Sequence, residues 1–301
     1  MDRRDFIKKS ASAGLAISSS NALRHQLLAN DEPLDFVVTK NGSPADLVRK
    51  AVQELGGMGK FVSKGQTVLL KPNIGWDRTP EQAANTNPQA IAEVVRMCLQ
   101  AGAKKVRVLD RTCNQARRCY QRSGIERAAK KAGAEVRHVV QSRFRKVDMP
   151  DGELLKTWPL YRDALEFDVF INMPIAKHHS ISGVTLGFKN IMGIMGGDRG
   201  QIHKNFHTNI VDINTSVKPT LTIIDAYRIL LRNGPSGGSL DDVEEKRIMI
   251  AGTDRLAVDA YAVTLFGKDP KDIEYIQNAA KRGLGQVDLS KVNMKEIDLS
   301  T

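Results

Sequence analysis

Asp168-Val169-Phe170-Ile171-Asn172-Met173 is an apolar run without alternation, and Leu221-Thr222-Ile223-Ile224-Asp225 and Arg247-Ile248-Met249-Ile250-Ala251 repeat the pattern. Strands that are apolar at consecutive positions are buried on both faces, as in a parallel sheet covered by helices on each side. Upstream, Asp35 to Thr39, Thr67 to Pro72, Val106 to Asp110 and Glu135 to Val140 read as further strands. Between them, Ser43-Pro44 opens a helix to about Met58, with Ser as N-cap and Pro at the first position, and Asn87-Pro88 opens a second that stops at Gly102. A basic helix from about Ser123 to Lys131 ends before Gly133. This alternation predicts an α/β fold, a three-layer sandwich with a largely parallel sheet and right-handed crossovers. Turn chemistry at Met149-Pro150-Asp151-Gly152 and Trp158-Pro159 marks residues 141–167 as a small inserted excursion in a single domain spanning 31–301.

The composition is that of a globular chain: 301 residues, 41% hydrophobic and 26% charged, which excludes collagen, coiled coil and extensive disorder. No run of 18 apolar residues occurs, so no transmembrane anchor is expected. The net charge of +11 is concentrated in residues 104–146, which hold 14 basic and three acidic residues. A solvated basic face accounts for that stretch, and no nucleic acid partner is expected, because no aromatic-interleaved or groove-reading motif accompanies it. Cys98, Cys113 and Cys119 have neither metal-ribbon nor ferredoxin spacing, so no iron–sulfur cluster is expected. Cys98 falls in a helical pattern and reads as buried. Cys113 and Cys119 either pair in an oxidising compartment or stay thiols, whose pKa the neighbouring Arg111, Arg117 and Arg118 would lower.

In open α/β sheets the ligand crevice lies beyond the carboxyl ends of the strands. Polar residues collect at those positions: Asn73, Asp110, Lys177-His178-His179, Asp225 and Thr253-Asp254. The densest stretch runs from Lys177 to Thr215 and holds four of the six histidines. Its glycines Gly193, Gly196, Gly197 and Gly200 would aim backbone N–H groups at an anion, with Arg199 adding a fork of donors. His203 and His207 stand at i and i+4, the spacing of two metal ligands on one helical face, although Lys204 occupies the place where a zincin carries its general-base Glu.

The first residues, Asp2-Arg3-Arg4-Asp5-Phe6-Ile7-Lys8-Lys9 followed by a small-residue apolar stretch, resemble a twin-arginine export signal, with Ser20-Asn21-Ala22 as a cleavage site. The resemblance implies that residues 1–30 are a signal peptide and linker, that the twin-arginine machinery is a partner, and that the mature chain is periplasmic.

Further motifs carry a second resemblance. Leu70-Lys71-Pro72-Asn73, Pro174-Ile175-Ala176-Lys177-His178-His179, Gly187-Phe188-Lys189-Asn190-Ile191-Met192-Gly193, Asp198-Arg199 with His203, Ile224-Asp225-Ala226, Gly234-Pro235-Ser236-Gly237-Gly238 and Asp254 to Ala260 are similar to the domain of unknown function 362 family, over roughly residues 65–267. It adds Asn190 and Asp259 to the ligand-binding set. The order His179, Lys189, His203 also resembles the nickel-pincer lactate racemases. That likeness implies a cofactor-anchoring role for Lys189, a metal-ligating role for His203, and acid–base roles for His178 or His179. An anion-binding lysine is the simpler reading of Lys189.

Together these readings predict a crevice that binds an anionic small molecule or a metal-bearing cofactor. Its expected catalytic residues are His178, His179 and Lys189. Asn73, Asp110, Lys177, Asn190, Gly196, Gly197, Arg199, Asp225 and Asp259 are expected to bind the ligand, and His203 and His207 a transition metal. The expected function is an enzyme of redox or racemase-like type; the alternative is a non-catalytic ligand- or cofactor-carrying protein. The oligomeric state has no signature in the sequence.

Overall fold

The computed structural model describes residues 33–300; the twin-arginine stretch lies outside the described residues. The strands are β1 (Phe36–Lys40), β2 (Thr67–Pro72), β3 (Lys105–Val108), β4 (Glu135–Val136), β5 (Phe144–Asp148), β6 (Thr157–Tyr161), β7 (Val169–Met173), β8 (Ile175–His179), β9 (Gly183–Thr185), β10 (Leu221–Leu230), β11 (Val243–Gly252) and β12 (Met294–Asp298). The main sheet runs β12-β1-β11-β10-β7-β2-β3-β4, with β8 beside β10 and β9 beside β8. From β10 to β4 every pairing is parallel, and β11 runs antiparallel to β1 and β10.

The continuous apolar runs are buried on both faces. On β2, Val68 and Leu70 pack with the helices Pro44–Glu54 and Pro88–Gln100 through Leu47, Val48, Ile91 and Val94. Leu69, between them, points the other way into a core with Phe188, Ile210 and Val258, on the helices Gly187–Asn190, Phe206–Ser216 and Arg255–Thr264. The three-layer α/β sandwich is therefore the observed fold. Both sequence-read helix starts are capped as expected: the Ser43 hydroxyl accepts from the Asp46 amide at 3.2 Å, and the Asn87 carboxamide accepts from the Gln89 amide at 2.9 Å.

The basic helix expected from about Ser123 to Lys131 is Ile125–Lys131, and a further short helix, Ala116–Arg122, precedes it, parted from it at Gly124, whose φ of 73° an α-helix does not accommodate. One local expectation is corrected. The strand expected over 135–140 stops at Val136, since β4 is an edge strand with one partner. The turn-rich residues 141–167 contain a separate antiparallel ribbon, β5 with β6, in register from Phe144 opposite Tyr161 to Asp148 opposite Thr157. Its tip is held by buried Asp212, whose carboxylate accepts the amides of Glu153, Leu154 and Leu155 at 2.8 Å each.

Part of the basic segment is paired, within itself or to neighbouring carboxylates: Arg107 with Glu135 and Asp163, each at 2.6 Å, Arg143 with Asp163, and Lys130 with Glu126 at 2.6 Å. All three cysteines are free. Burial drives the Cys98 thiol up to about 12 and also raises Cys119, the reverse of the lowering expected from nearby arginines. No helix among the described residues is long and apolar enough to cross a membrane.

Candidate functional site

A cavity of about 430 Å³ opens at the carboxyl ends of β2, β3 and β8, within the roughly 300–1,000 Å³ typical of small-molecule sites. Asn73, Asp110, Lys177, His179, Lys189, Asn190, Arg199 and His203 line it, as do Lys71, Trp76, Arg111 and Cys113, which sequence reasoning did not single out as ligand contacts.

The floor is a polar network tying three strands to one helix. Lys71, the penultimate residue of β2, is fully buried; its ammonium meets Asp110 Oδ1 at 2.8 Å and donates to the Pro72 carbonyl at 2.7 Å and Asn190 Oδ1 at 3.0 Å. The other Asp110 oxygen accepts the Ile74 amide at 2.6 Å. Asn190 Oδ1 also accepts from Asn73 Nδ2 at 3.1 Å, and Asn190 Nδ2 donates to Asn172 Oδ1 at 2.8 Å. Gly193 closes the network from above: a Cβ there would stand 1.7 Å from Asp110 Oδ1 and 2.5 Å from Lys71 Nζ, so only glycine fits. Asp110 thus neutralises Lys71 and has no charge left for a ligand.

Two further lysines have no such partner. Lys177 is buried and donates to the Ala84 carbonyl at 2.6 Å and to Asn73 Oδ1 at 3.2 Å. Lys189, 8% exposed, contacts Met192 Sδ at 3.5 Å and lies 5.2 Å from the centre of the Phe206 ring. Neither forms an ion pair among the described residues. Desolvation lowers Lys177 to about 7 and Lys189 to about 8, and Lys177 is further lowered by the Lys189 charge. A buried, uncompensated ammonium is costly, and an anion seated between these two would relieve that cost.

Arg199 plays a different part. Its guanidinium donates to the carbonyls of Arg111 at 2.7 Å and Thr112 at 3.0 Å and to Cys113 Sγ at 3.2 Å, so it staples the loop after β3 to the cavity.

The two cavity histidines are held in complementary tautomers. His179 Nδ1 accepts the amides of Ile181 at 3.1 Å and Ser182 at 3.4 Å, which places its proton on Nε2. Burial, then Lys189, pushes its pKa down to about 2, so the ring is a neutral N–H donor. His203 Nδ1 lies 3.2 Å from the Gly200 carbonyl and carries the proton there, leaving a buried Nε2 lone pair without a partner. Desolvation and Lys189 lower His203 as well. The rings stack with centroids 5.8 Å apart. One imidazole therefore offers a proton and its neighbour a lone pair.

Six expected site residues stand elsewhere. On β8 successive side chains alternate faces, so Lys177 and His179 enter the cavity and His178 turns away, its Nδ1 accepting the Gly234 amide at 3.2 Å. Gly196 and Gly197 do not form an anion nest: the Gly196 amide donates to the Pro159 carbonyl at 2.7 Å and its Cα packs on the Phe144 ring, joining the ribbon to the core. Asp225 accepts the Asn87 amide at 2.6 Å and the Tyr227 amide at 3.0 Å, fixing a helix start. Asp259 accepts the Gly187 and Phe188 amides at 2.7 and 3.0 Å. Burial raises these carboxyls to about 6 and about 7.

His203 and His207 do not share a helical face. His203 lies in a 3₁₀ segment, Arg199–Asn205, and His207 in the α-helix Phe206–Ser216, with Nε2 3.5 Å from Glu274 and the Phe206 ring against both imidazoles. Among the described residues no three of His, Cys, Asp and Glu converge as metal ligands, and the charged groups that line the cavity without an ion-pair partner, Lys177, Lys189, Arg111 and Arg199, are all cationic. That donor set does not fit a metal ion held by protein ligands alone.

The chain is 27% identical over 251 residues to a thylakoid-associated protein of Synechocystis sp., covering 81% of this chain and 76% of that one. Among solved structures it is similar to the lactate racemase apoprotein of Thermoanaerobacterium thermosaccharolyticum, at a TM-score of 0.47 and 14% identity, over 74% of this chain and 55% of that one. A family model matches residues 68–264, which include every polar group of the cavity floor from Lys71 to Asn190, and the chain belongs to the family described as Domain of unknown function (DUF362).

Proposed function

We propose that the protein binds a small organic anion in this cavity and transfers a proton at that ligand. The observation that carries the reading is the pair Lys177 and Lys189, two buried ammoniums facing one cavity without a counter-charge. A carboxylate is the simplest group to sit between them. His203 Nε2 would take a proton from the bound molecule, while His179 Nε2–H would donate a hydrogen bond to the oxygen on which charge develops. Burial, and after it the Lys189 charge, lower His203; an anion that neutralises Lys189 removes the second of these and makes the imidazole a stronger base. Substrate binding would thus strengthen the base. The class of reaction is proton abstraction next to a carboxylate, which includes racemisation and isomerisation.

The experiment has two readouts. Calorimetric titration with acetate and butyrate is expected to show binding that weakens by about tenfold or more in Lys189→Met, the loss of one charge-assisted hydrogen bond. Equal binding in that variant overturns the reading. Deuterium uptake from D₂O at the carbon next to the carboxylate of bound 2-hydroxy acids is expected in the parent and lost in His203→Gln. Binding without exchange for any such acid would instead assign the carrier reading, which the orphaned His203 Nε2 also favours as a hydrogen-bond acceptor for a cofactor.

Export by the twin-arginine route forms part of the proposal and rests on Arg3-Arg4 with Phe6 and Lys8. Replacing both arginines by lysine should leave the protein in the cytoplasmic fraction of its host; unchanged export would exclude the route.

A further inference from the structure

The cavity has a second chemical half. Its charged groups are deep: Lys71, Lys177 and Lys189 are each at least nine-tenths buried. Its outer wall is apolar. Ile181 lies at the turn between β8 and β9 and is 53% exposed, while Trp76, in the loop after β2, and Pro235 are half-buried. None of these three belongs to a hydrophobic core cluster. Among the described residues the Trp76 ring pairs with no other ring or cation, although its backbone is fixed on both sides, the amide donating to Asn85 Oδ1 at 3.0 Å and the carbonyl accepting from Asn85 Nδ2 at 2.8 Å. Pro235 is held just as firmly, since the preceding Gly234 amide is bonded to His178 and a Cβ on Gly234 would stand 2.0 Å from the His178 carbonyl oxygen. An exposed isoleucine and a half-buried indole that serve no core leave apolar surface in water, and a ligand that covers them recovers it.

We propose that the ligand is an amphiphilic monocarboxylate, whose anionic head sits between Lys177 and Lys189 and whose aliphatic or aromatic body lies against Trp76, Ile181 and Pro235. This inference rests on the anion-binding reading above and narrows it. A compact, strongly hydrated anion such as phosphate would satisfy the lysines and leave the rim bare. A polyanion would ask for more charged donors than the two lysines offer, and the cavity's two guanidiniums already donate to backbone carbonyls, Arg111 to that of Met195 and Arg199 to those of Arg111 and Thr112. The contrast between a charged floor and an apolar rim thus selects one head group and one body.

The test is calorimetric titration of the mature chain with acetate, butyrate, hexanoate and phenylacetate, and with inorganic phosphate and citrate, repeated on Trp76→Ala and Ile181→Ser. Affinity is expected to rise by up to about fourfold for each methylene buried on going from acetate to hexanoate. Phenylacetate should also bind more tightly than acetate, and phosphate and citrate should bind no more tightly than acetate. Trp76→Ala and Ile181→Ser should flatten the series, lowering hexanoate affinity by a larger factor than acetate affinity, with the circular dichroism spectrum preserved. A flat series in the parent chain, or a preference for phosphate or citrate, overturns the inference and leaves the anion site standing. A steep series that survives intact in both variants shows that the rim is not the receptor and also overturns it. Failure of every anion to bind removes the anion-binding reading itself.

Discussion

At the scale of single residues, the site is organised by which charges are paired and which are not. Lys71 and Asp110 form a buried ion pair, so removing one partner strands the other: Asp110→Asn is expected to cost about 3–5 kcal/mol of stability, measurable by urea denaturation. The double variant Lys71→Met/Asp110→Asn should recover part of that loss; a single variant as stable as the parent would show that the pair has no structural weight. His179 offers a second check, because its Nδ1 is engaged by two amides and its pKa is pushed down to about 2. Nitrogen NMR should find the Nε2–H tautomer, still neutral at pH 5, and a ring that titrates near 6.5 would contradict the assigned hydrogen bonds. Asn73, Lys177, His179, Lys189, Asn190 and Arg199 were legible as site residues because they follow strand ends or sit in dense polar motifs. Lys71 was not, since a lysine inside an apolar strand gives no sign of the carboxylate that will meet it from the neighbouring strand.

At the scale of elements, period-two alternation decides more than proximity in sequence. His178 and His179 are adjacent, yet β8 sends one to the cavity and the other to the loop at Gly234. The sequence showed the cluster but not the phase of the strand, which is set by pairing with β10 at Asp225 opposite Ile175. In the same way, the i and i+4 spacing of His203 and His207 assumes 3.6 residues per turn, and the 3₁₀ segment that holds His203 breaks that relation. Continuous strands and capped helix starts were readable because they depend on local composition. The separate helix Ala116–Arg122 and the early end of β4 depend on tertiary neighbours and were not. Gly193 belongs to this scale, since it lets the segment Ile191–Ile194 lie directly on the ion pair. Gly193→Ala is expected to destabilise the fold by about 1–3 kcal/mol through overpacking and to weaken anion binding in parallel. A fully stable, fully binding variant would mean that the close approach is not required.

At the scale of the whole molecule, the free lysines make stability depend on pH. Lys177 and Lys189 are lowered to about 7 and about 8 from the ordinary 10.5, so between these values the unfolded chain holds protons that the folded one lacks. Stability of the ligand-free protein from these two groups therefore rises with pH across roughly 8 to 9.5, below the range where tyrosines ionise. Thermal unfolding should show that rise in the parent and not in Lys177→Met/Lys189→Met. Anion affinity has the opposite sign, since the ligand prefers charged ammoniums, and should fall over the same interval. The central claim is that these two buried amines form an anion site, and carbon-13 NMR of the lysine Cε signals, assigned with Lys177→Arg and Lys189→Arg, reads it directly. The account predicts free-state midpoints near 7 and 8 that both move upward when butyrate is added. Midpoints near 10.5 that butyrate leaves in place would contradict it.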